Sequence, residues 1–314
     1  MSACIACGAE ACEPVFRASD RLFHTTTREF SVVRCQTCGL LRLDPRPDRD
    51  ELSRYYPDNY WFAPDESAAS RLEERYRRLV LRDHVSFVER ALRESTARGP
   101  LLDAGCGGGL FLGMLRERGF RVLGLDISRE AAAIAWHGQQ APAVCALLDA
   151  APFPAASLAG ITLFHVLEHV YDPAAYLQSA YRLLQPDGRL IVQVPNAASW
   201  QCRLLGRRWN GMDVPRHLTD FRASDVVLLM ERAGFTVVRR KYFSLRDNPA
   251  GLASSLTPGL DPMARRVRRV PEGGLARLLK DAVYLGLVAA SLPFTALEAA
   301  CGAGSTVMIE GRRI

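Results

Sequence analysis

Apolar and polar positions alternate in blocks along the middle of the chain. Three short apolar runs predict strands that are buried on both faces: one that closes at Leu101 and Leu102, one at 122–125 and one at 161–164. Between them, apolar residues recur at helical spacing, as in 110–118 and 128–138. This alternation of strand and helix predicts an α/β fold in which helices cover both faces of a parallel sheet.

Further apolar runs extend this doubly wound sheet to seven strands, at 143–148, 189–194, 235–242 and 305–310. We predict a helix at 174–184 and a turn at 185–188 before the fifth strand. Residues 200–222 have no regular period and predict a loop. Residues 66–94 have apolar positions at helical spacing and predict one long helix leading into the sheet.

The last strand is separated from the one before it by an insertion. It contains a basic run at 265–269, a helix near 275–287 and an uncharged apolar stretch at 282–297. We expect this stretch, interrupted by Pro293, to be too short to span a bilayer. It can form a helical lid over an acceptor pocket, and it can make a peripheral membrane contact if the acceptor is linked to a lipid.

Two CxxCG motifs mark the N-terminal part as a separate module. Each motif turns two thiolates toward one point, and four thiolates form the closed tetrahedral site typical of structural zinc. The alternative is an iron site of the rubredoxin type. The predicted ligands are Cys4, Cys7, Cys35 and Cys38.

The chain is thus divided into four segments. They are a zinc-binding module at 1–62, a helical linker at 63–98, a core at 99–244 plus 304–314, and a helical insertion at 245–303.

Composition narrows the class of protein. The chain has 314 residues and a net charge of +6, from 40 basic and 34 acidic residues. So small an excess argues against nucleic acid as the main partner. The paired cysteines and the absence of a signal-peptide pattern at the N-terminus indicate a protein of the reducing cytoplasm. The oligomeric state cannot be predicted from these features.

A glycine-rich segment follows the first strand. Residues 103–109 read DAGCGGG, and the helix begins directly after them. Glycine tolerates the sharp strand-to-helix turn and lets a ligand approach the backbone near the helix N-terminus. Asp126 ends the second strand, where an acid can accept hydrogen bonds from ribose hydroxyls. The ligand should therefore contain adenosine.

The same segment argues against a dinucleotide. In the pattern G-x-G-x-x-G/A read from Gly105, the last position falls on Leu110. Asp103 lies two residues before the first glycine, where its carboxylate would repel a pyrophosphate and attract an ammonium group. S-adenosylmethionine has an adenosine and an ammonium group but no phosphate, so it satisfies both conditions.

At these residues the chain resembles the class I S-adenosylmethionine-dependent methyltransferases. The resemblance covers roughly residues 100–243, including HVLEHVYDP at 165–173 and LLQPDGRLIVQVPN at 183–196. It implies a seven-stranded Rossmann-like sheet, and this kind of methyltransferase also occurs fused to a zinc module. The cofactor contacts that it implies are Asp103, Gly105, Cys106, Gly107, Gly109, Asp126, Ile127, Asp149, Ala150 and His165.

Three residues are candidates for catalysis: His217, His169 and Glu168. His165, Glu168 and His169 fit the H-x-x-E-H protease pattern, but that pattern needs a helix and this one starts at a strand end. Glu168 and His169 can instead bind a divalent ion, or they can stabilise the turn. His217 can act as a general base, with Arg216 favouring the neutral imidazole, or it can bond to its own loop.

The leading functional hypothesis is methyl transfer to a small-molecule or lipid-linked acceptor, such as a sugar or a secondary metabolite. The first alternative is an RNA methyltransferase whose zinc module and arginines bind the phosphate backbone. The second is a non-catalytic protein that binds a partner through its zinc module and keeps an inactive methyltransferase-like domain.

Overall fold

The computed structural model describes residues 3–57 and 68–314, and the chain forms two compact units. We call the first the cysteine unit, which comprises residues 1–60, 195–225 and 247–307. The second is the sheet unit, which comprises residues 61–194, 226–246 and 308–314. The division into four segments stays a prediction, and its first boundary, at 62–63, lies outside the described residues.

Eleven strands are present in the described parts of the chain. They are β1 (Cys12–Ala18), β2 (Phe30–Cys35), β3 (Leu41–Leu43), β4 (Leu101–Ala104), β5 (Val122–Asp126), β6 (Ala143–Cys145), β7 (Leu158–Phe164), β8 (Leu184–Pro195), β9 (Thr219–Asp220), β10 (Phe235–Lys241) and β11 (Thr306–Arg313).

Eleven α-helices are present in the same residues. They are α1 (Arg49–Ser53), α2 (Ala68–Val80), α3 (Arg82–Arg93), α4 (Leu110–Arg116), α5 (Arg129–Gln139), α6 (Pro173–Leu183), α7 (Trp200–Leu205), α8 (Ala223–Arg232), α9 (Asn248–Leu256), α10 (Pro262–Val267) and α11 (Gly274–Ala300).

The predicted seven-stranded sheet is confirmed, with the order β6-β5-β4-β7-β8-β11-β10. The pairs from β6 to β8 are parallel, and β10 and β11 are antiparallel. Because β4 lies between β5 and β7, the carboxyl ends of these three strands meet at one edge of the sheet. Ligands of doubly wound folds bind at such an edge.

Helices bury the faces of this sheet. Every residue of β4 is buried, as in the centre of a parallel sheet. Phe111 of α4 belongs to the same core as Val85 and Val88 of α3. The ring of Phe164 packs edge-on against Phe111 and His84, with centroids 5.1 and 5.2 Å apart. This core holds the strand ends in register.

One predicted strand boundary in the sheet unit is wrong. The third strand ends at Cys145 and not at 148, and a 3-10 turn follows at Leu148–Ala150. The turn predicted at 185–188 lies within the bounds of β8 and interrupts its pairing: Leu184 pairs with Leu158, and the next pair of this register is Arg189 with Gly160. Asp187 has a φ of +63° there, so the chain turns where Pro186 and Gly188 predict it.

The single helix predicted over 66–94 is also wrong. The segment forms α2 and α3, which are separated at Leu81. Leu72 and Leu79 of α2 are exposed, whereas Val85 and Val88 of α3 are buried. Apolar spacing identifies a helix face, but it does not show whether a second surface covers that face.

The predictions for the loop and the insertion need similar correction. Part of 200–222 is regular, since α7 begins after Ser199, whose Oγ accepts the N–H of Cys202 at 3.1 Å. Helix α11 runs through Pro293 as one helix of 27 residues. Near the proline, the hydroxyl of Ser291 donates to the carbonyl of Leu287 at 2.8 Å, so the side chain adds to the local hydrogen bonding.

A second, four-stranded sheet lies in the cysteine unit, with the order β1-β2-β3-β9. Strands β2 and β3 flank the second CxxCG motif. Strand β1 was not predicted, because its largely exposed residues have no clear alternation. Strand β9 has two residues and joins the sheet through long-range pairing with Leu41 and Arg42.

A buried ion cluster lies in the cysteine unit. The guanidinium of Arg216 donates to both carboxylate oxygens of Asp20, at 2.9 and 3.0 Å, and to Asp213 at 2.6 and 3.0 Å. It also lies 4.5 Å from the ring centroid of Phe23. Burial would raise the pKa of Asp20, but the hydrogen bonds and charge of Arg216 outweigh it and lower the pKa to about 2. The stability from Asp20 is therefore present above its ordinary pKa of 3.8 and is lost as the pH falls toward 2.

Replacing Arg216 should strongly destabilise the protein. In Arg216→Met two buried carboxylates lose their partner, so the free energy of unfolding should fall by about 3–5 kcal/mol, measured by urea denaturation. Arg207→Met is the control, because Arg207 is exposed and should change the free energy by less than about 0.5 kcal/mol. Equal effects of the two substitutions would contradict a structural role for the cluster.

Candidate functional site

The glycine loop connects the end of β4 to the start of α4. Gly105 has a φ of +82°, and a Cβ there would lie 2.4 Å from Cγ2 of Val166. Gly109 has a φ of +75°, and a Cβ there would lie 2.7 Å from Cβ of Ala135. Both conformation and space therefore require glycine at these positions. Cys106, between them, is buried, and burial raises the pKa of its thiol.

Asp126 joins this loop to the end of the neighbouring strand. Its Oδ2 accepts the N–H of Gly107 at 2.9 Å, and its Oδ1 accepts the N–H of Ser128 at 2.8 Å. Burial raises the pKa of Asp126, while these backbone hydrogen bonds act in the opposite direction. Asp126 therefore fixes the shape of the loop, in addition to the ribose contact predicted for it.

Asp103 is a buried acid within β4. Its Oδ1 accepts a hydrogen bond from the hydroxyl of Thr162 on β7 at 2.6 Å. Burial raises the pKa of Asp103 to about 7, the nearby charge of Asp126 raises it further, and Thr162 opposes the shift. The carboxyl can thus take up or release a proton near neutral pH, and a cation placed beside it would favour the ionised form.

The other predicted cofactor residues follow β5, β6 and β7 along the same edge. Ile127 is 71% exposed directly after β5. Asp149 and Ala150 are exposed on the 3-10 turn after β6, four or more residues beyond the strand end. Ile127 is apolar but exposed at the edge of the sheet. A side chain in such a position can pack against the flat face of a ligand. These residues are accessible to a ligand at this edge.

His165, directly after β7, has a φ of +56° and two side-chain partners. Its Nδ1 donates to Oε1 of Glu168 at 3.2 Å, and its Nε2 accepts from the amide of Gln193 at 2.9 Å. These bonds fit a neutral imidazole with its proton on Nδ1. Glu168 is buried and lies with His169 on a short 3-10 turn. Its carboxylate accepts the hydrogen bond from His165.

His217 belongs to the cysteine unit and is buried. Its Nδ1 donates to the carbonyl of Gly211 at 2.9 Å, and its Nε2 lies 4.0 Å from Oδ2 of Asp213. The expectation that Arg216 favours the neutral imidazole stays a prediction. The guanidinium is compensated by Asp20 and Asp213, so its charge does not act on the imidazole alone.

The four N-terminal cysteines converge in the cysteine unit. The Sγ atoms of Cys4 and Cys38 are 3.6 Å apart, and those of Cys7 and Cys35 are 3.5 Å apart. All four lie within 4.8 Å of one another. A tetrahedral site with zinc–sulfur bonds of about 2.3 Å needs sulfur–sulfur distances of about 3.8 Å, so this group of thiols fits zinc.

The two cysteine loops have the same backbone geometry. The N–H of Gly8 donates to the carbonyl of Cys4, and that of Gly39 donates to the carbonyl of Cys35, both at 2.8 Å. Both glycines have a φ near +76°. Arg222 donates to the carbonyl of Cys38 at 2.5 Å, which ties the second loop to residues after β9.

Sequence analysis missed several supporting residues. Thr162 bonds to Asp103 and Gln193 bonds to His165, and both are fully buried. A polar residue within an otherwise apolar strand, as in ITLF and LIVQV, was the available signal. Asp20 gave no such signal, because its partner Arg216 is distant in the sequence.

Comparisons with known proteins agree with this geometry. A family model described as a methyltransferase domain matches residues 71–240, which is more than half of the chain. A probable S-adenosylmethionine-dependent methyltransferase of Mycolicibacterium smegmatis is 28% identical over 57% of this chain and 61% of its own length. The ubiquinone biosynthesis O-methyltransferase of Xanthomonas oryzae pv. oryzae is 31% identical over 41% of this chain and 59% of its own length.

The chain thus spans about three fifths of these two relatives. Among solved structures, geranyl diphosphate C-methyltransferase from Streptomyces coelicolor has a TM-score of 0.52 at 15% identity, covering 86% of this chain and all of that one. At this identity the likeness concerns the fold alone. Together with the glycine loop and the seven-stranded sheet, the family match shows that this chain belongs to the class I S-adenosylmethionine-dependent methyltransferases.

Proposed function

We propose that the protein transfers the methyl group of S-adenosylmethionine to a small-molecule or lipid-linked acceptor of the sugar or secondary-metabolite type. The observation that carries the proposal is the sheet edge at β4 and β5, where a glycine loop lies between two buried acids. The curated relative from Xanthomonas is by name an O-methyltransferase of ubiquinone biosynthesis, which supports a small-molecule acceptor.

Each end of the cofactor has a complementary group at this edge. Asp126 would bind the ribose hydroxyls, and the backbone of the glycine loop would approach the methionine part. Asp103 would ionise beside the ammonium group, because a neighbouring cation lowers the pKa of a carboxyl. The proposed cofactor contacts as a set are Asp103, Gly105, Cys106, Gly107, Gly109, Asp126, Ile127, Asp149, Ala150 and His165.

When bound, S-adenosylmethionine would supply an electrophilic methyl group for in-line transfer to the acceptor atom, with S-adenosylhomocysteine as the leaving group. The residues of this chain contribute orientation and a site from which water is excluded. An acceptor with a hydroxyl or amine group must also lose a proton, and a histidine is the natural base near neutral pH.

His217 is our first candidate for this base. Its Nδ1 donates to the carbonyl of Gly211, and in this tautomer Nε2 is the basic nitrogen. The carboxylate of Asp213, 4.0 Å from Nε2, would stabilise the imidazolium that forms. His169 is the second candidate, with Glu168 as a residue that orients the turn or binds a divalent ion.

A structural zinc ion in the cysteine unit is the second part of the proposal. The converging thiols of Cys4, Cys7, Cys35 and Cys38 and the two matching loops support it. The ion would link the two loops and so stabilise the fold of the cysteine unit.

Asp126→Ala should weaken the binding of S-adenosylhomocysteine by roughly a hundredfold in calorimetry, because the hydrogen bonds to two ribose hydroxyls are lost. An analogue lacking both hydroxyls should bind the native protein and the variant equally weakly, which separates ribose recognition from loop distortion. Asp48→Ala is the control, since Asp48 also accepts a backbone N–H but caps α1 in the other unit. Unchanged affinity of Asp126→Ala, or tight binding of NAD by the native protein, would refute the cofactor assignment.

Metal analysis should find one zinc ion per chain. Cys35→Ser should lose this zinc and unfold at a lower temperature, because three thiolates do not close the site. Cys301→Ser is the control, because Cys301 is an exposed cysteine that belongs to neither CxxCG motif. Iron in place of zinc, or an unchanged zinc content in Cys35→Ser, would contradict the assignment.

His217→Ala should lower turnover by roughly a hundred- to ten-thousandfold while leaving the affinity for S-adenosylhomocysteine unchanged. Turnover is followed as S-adenosylhomocysteine release with the best acceptor from a panel of phenols, sugars and lipid extracts. His169→Ala is made in parallel. If only His169→Ala is inactive, the base is His169, and if both variants remain active, positioning alone accounts for the reaction.

A further inference from the structure

Helix α11 has an inverted distribution of polar and apolar side chains. Its buried positions include Ser291, Thr295 and Glu298, whereas Leu278 and Leu285 are 67% and 53% exposed. From Ala282 to Ala300 the single charged residue is Glu298, which is buried. A helix on the surface of a protein in water normally buries its apolar side chains and exposes its polar ones. The exposed apolar face of α11 consists of Leu275, Leu278, Leu279, Ala282, Val283, Leu285, Ala289, Ala290, Pro293, Ala296 and Leu297.

The polar face of α11 is bonded into the cysteine unit. The carboxylate of Glu298 accepts the backbone N–H of Gln201 at 2.8 Å and its side-chain amide at 2.9 Å. In the first half of the helix, the hydroxyl of Tyr284 is 2.8 Å from the hydroxyl of Ser254 on α9. These buried bonds hold the helix in place, so the apolar face stays outward.

Positive charge is concentrated at the beginning of α11. Residues 265–281 contain six arginines and lysines and two acids. Within this segment Arg277 pairs with Asp281 at 3.9 Å and the buried Arg265 pairs with Glu272 and Asp281, whereas Arg269 is exposed. The two acids are outnumbered by the six basic residues, so the segment keeps a net positive charge. An apolar helical face next to a cationic segment is the combination that binds the interface of a bilayer with anionic headgroups.

We infer that the exposed apolar face of α11 lies on the surface of a lipid bilayer that contains anionic lipids. In the described part of the chain, α11 is the one helix long and apolar enough to cross a bilayer by length and composition. It does not cross one here, because Glu298 and Tyr284 bind it along its length to the rest of the unit. The helix therefore lies in the interface plane, with its apolar side chains among the acyl chains.

A second copy of the chain fits this face less well. In a twofold contact between antiparallel α11 helices, the cationic start of one helix would face the uncharged end of the other. The exposed basic groups there would gain no acid from the partner helix, whose end carries only the buried Glu298. Anionic lipid headgroups supply the missing negative charge. This surface would also bring the enzyme to a lipid-linked acceptor, and to that extent it rests on the proposed function, but lipid binding itself does not require methyl transfer.

Flotation with vesicles tests the inference on the full, cofactor-free protein. Vesicles of phosphatidylcholine with 30% phosphatidylglycerol are compared with pure phosphatidylcholine. The native protein should float with the anionic vesicles, and Leu285→Glu should lower its partition coefficient at least tenfold, because a charge enters the acyl region. Val238→Glu places the same charge on an exposed apolar residue of β10 and should bind as the native protein does. Arg269→Gln, which removes an exposed positive charge just before α11, should weaken binding to the anionic vesicles only.

Other outcomes overturn the inference. These are a native protein that floats with neither vesicle, equal binding to both vesicles, or equal loss of binding in Leu285→Glu and Val238→Glu. A native dimer that becomes a monomer in Leu285→Glu, without vesicle binding, would assign the face to a second copy. Affinity for S-adenosylhomocysteine is measured for each variant. Its retention in Leu285→Glu shows that the variant is folded, and its loss in the native protein would contradict the proposed function without affecting the lipid result.

Discussion

The geometry of the cofactor edge depends on the tight turn that leaves β4. Gly105 occupies a left-handed conformation with the side chain of Val166 directly against it, and Asp126 of the neighbouring strand holds the N–H of Gly107. The loop is therefore fixed by strand β4, by the carboxylate of Asp126 and by the side chain of Val166. Rigid positioning of this kind is what methyl transfer requires, because the rate of an in-line displacement depends on the alignment of the reacting atoms.

The two acids of this edge differ in their surroundings, and this difference separates their roles. Asp126 accepts two backbone N–H groups, which stabilise its carboxylate. Asp103 accepts one hydroxyl in a fully buried position, and its pKa rises to about 7. A buried carboxyl near its pKa is sensitive to an added charge, whereas a well-bonded carboxylate is not. Asp103 is thus the acid whose ionisation a cationic ligand would change.

The cysteine unit has buried polar and ionic groups beside an apolar core that includes Leu40, Leu43 and Phe221. Arg216 lies between Asp20 and Asp213, and Glu298 lies against Gln201. These groups are buried and hydrogen-bonded, so each stabilises the unit only while its partners remain. Burying polar groups in this way leaves apolar side chains of α11 outside, and a second apolar medium is needed to cover them. The same arrangement therefore accounts for both the stability of the unit and its exposed surface.

The sequence alone determined the seven-stranded sheet, the glycine loop with its two acids and the paired cysteines. These features depend on local patterns: buried parallel strands are continuous apolar runs, a positive φ needs glycine, and metal loops need closely spaced thiols. Only the tertiary structure decided that the third strand ends at Cys145, that Leu72 is exposed and that α11 continues through Pro293 with its apolar face outward. It also decided the partners of Asp20 and His217. Each of these depends on contacts between residues far apart in the chain, which local hydrophobic period and turn propensity do not encode.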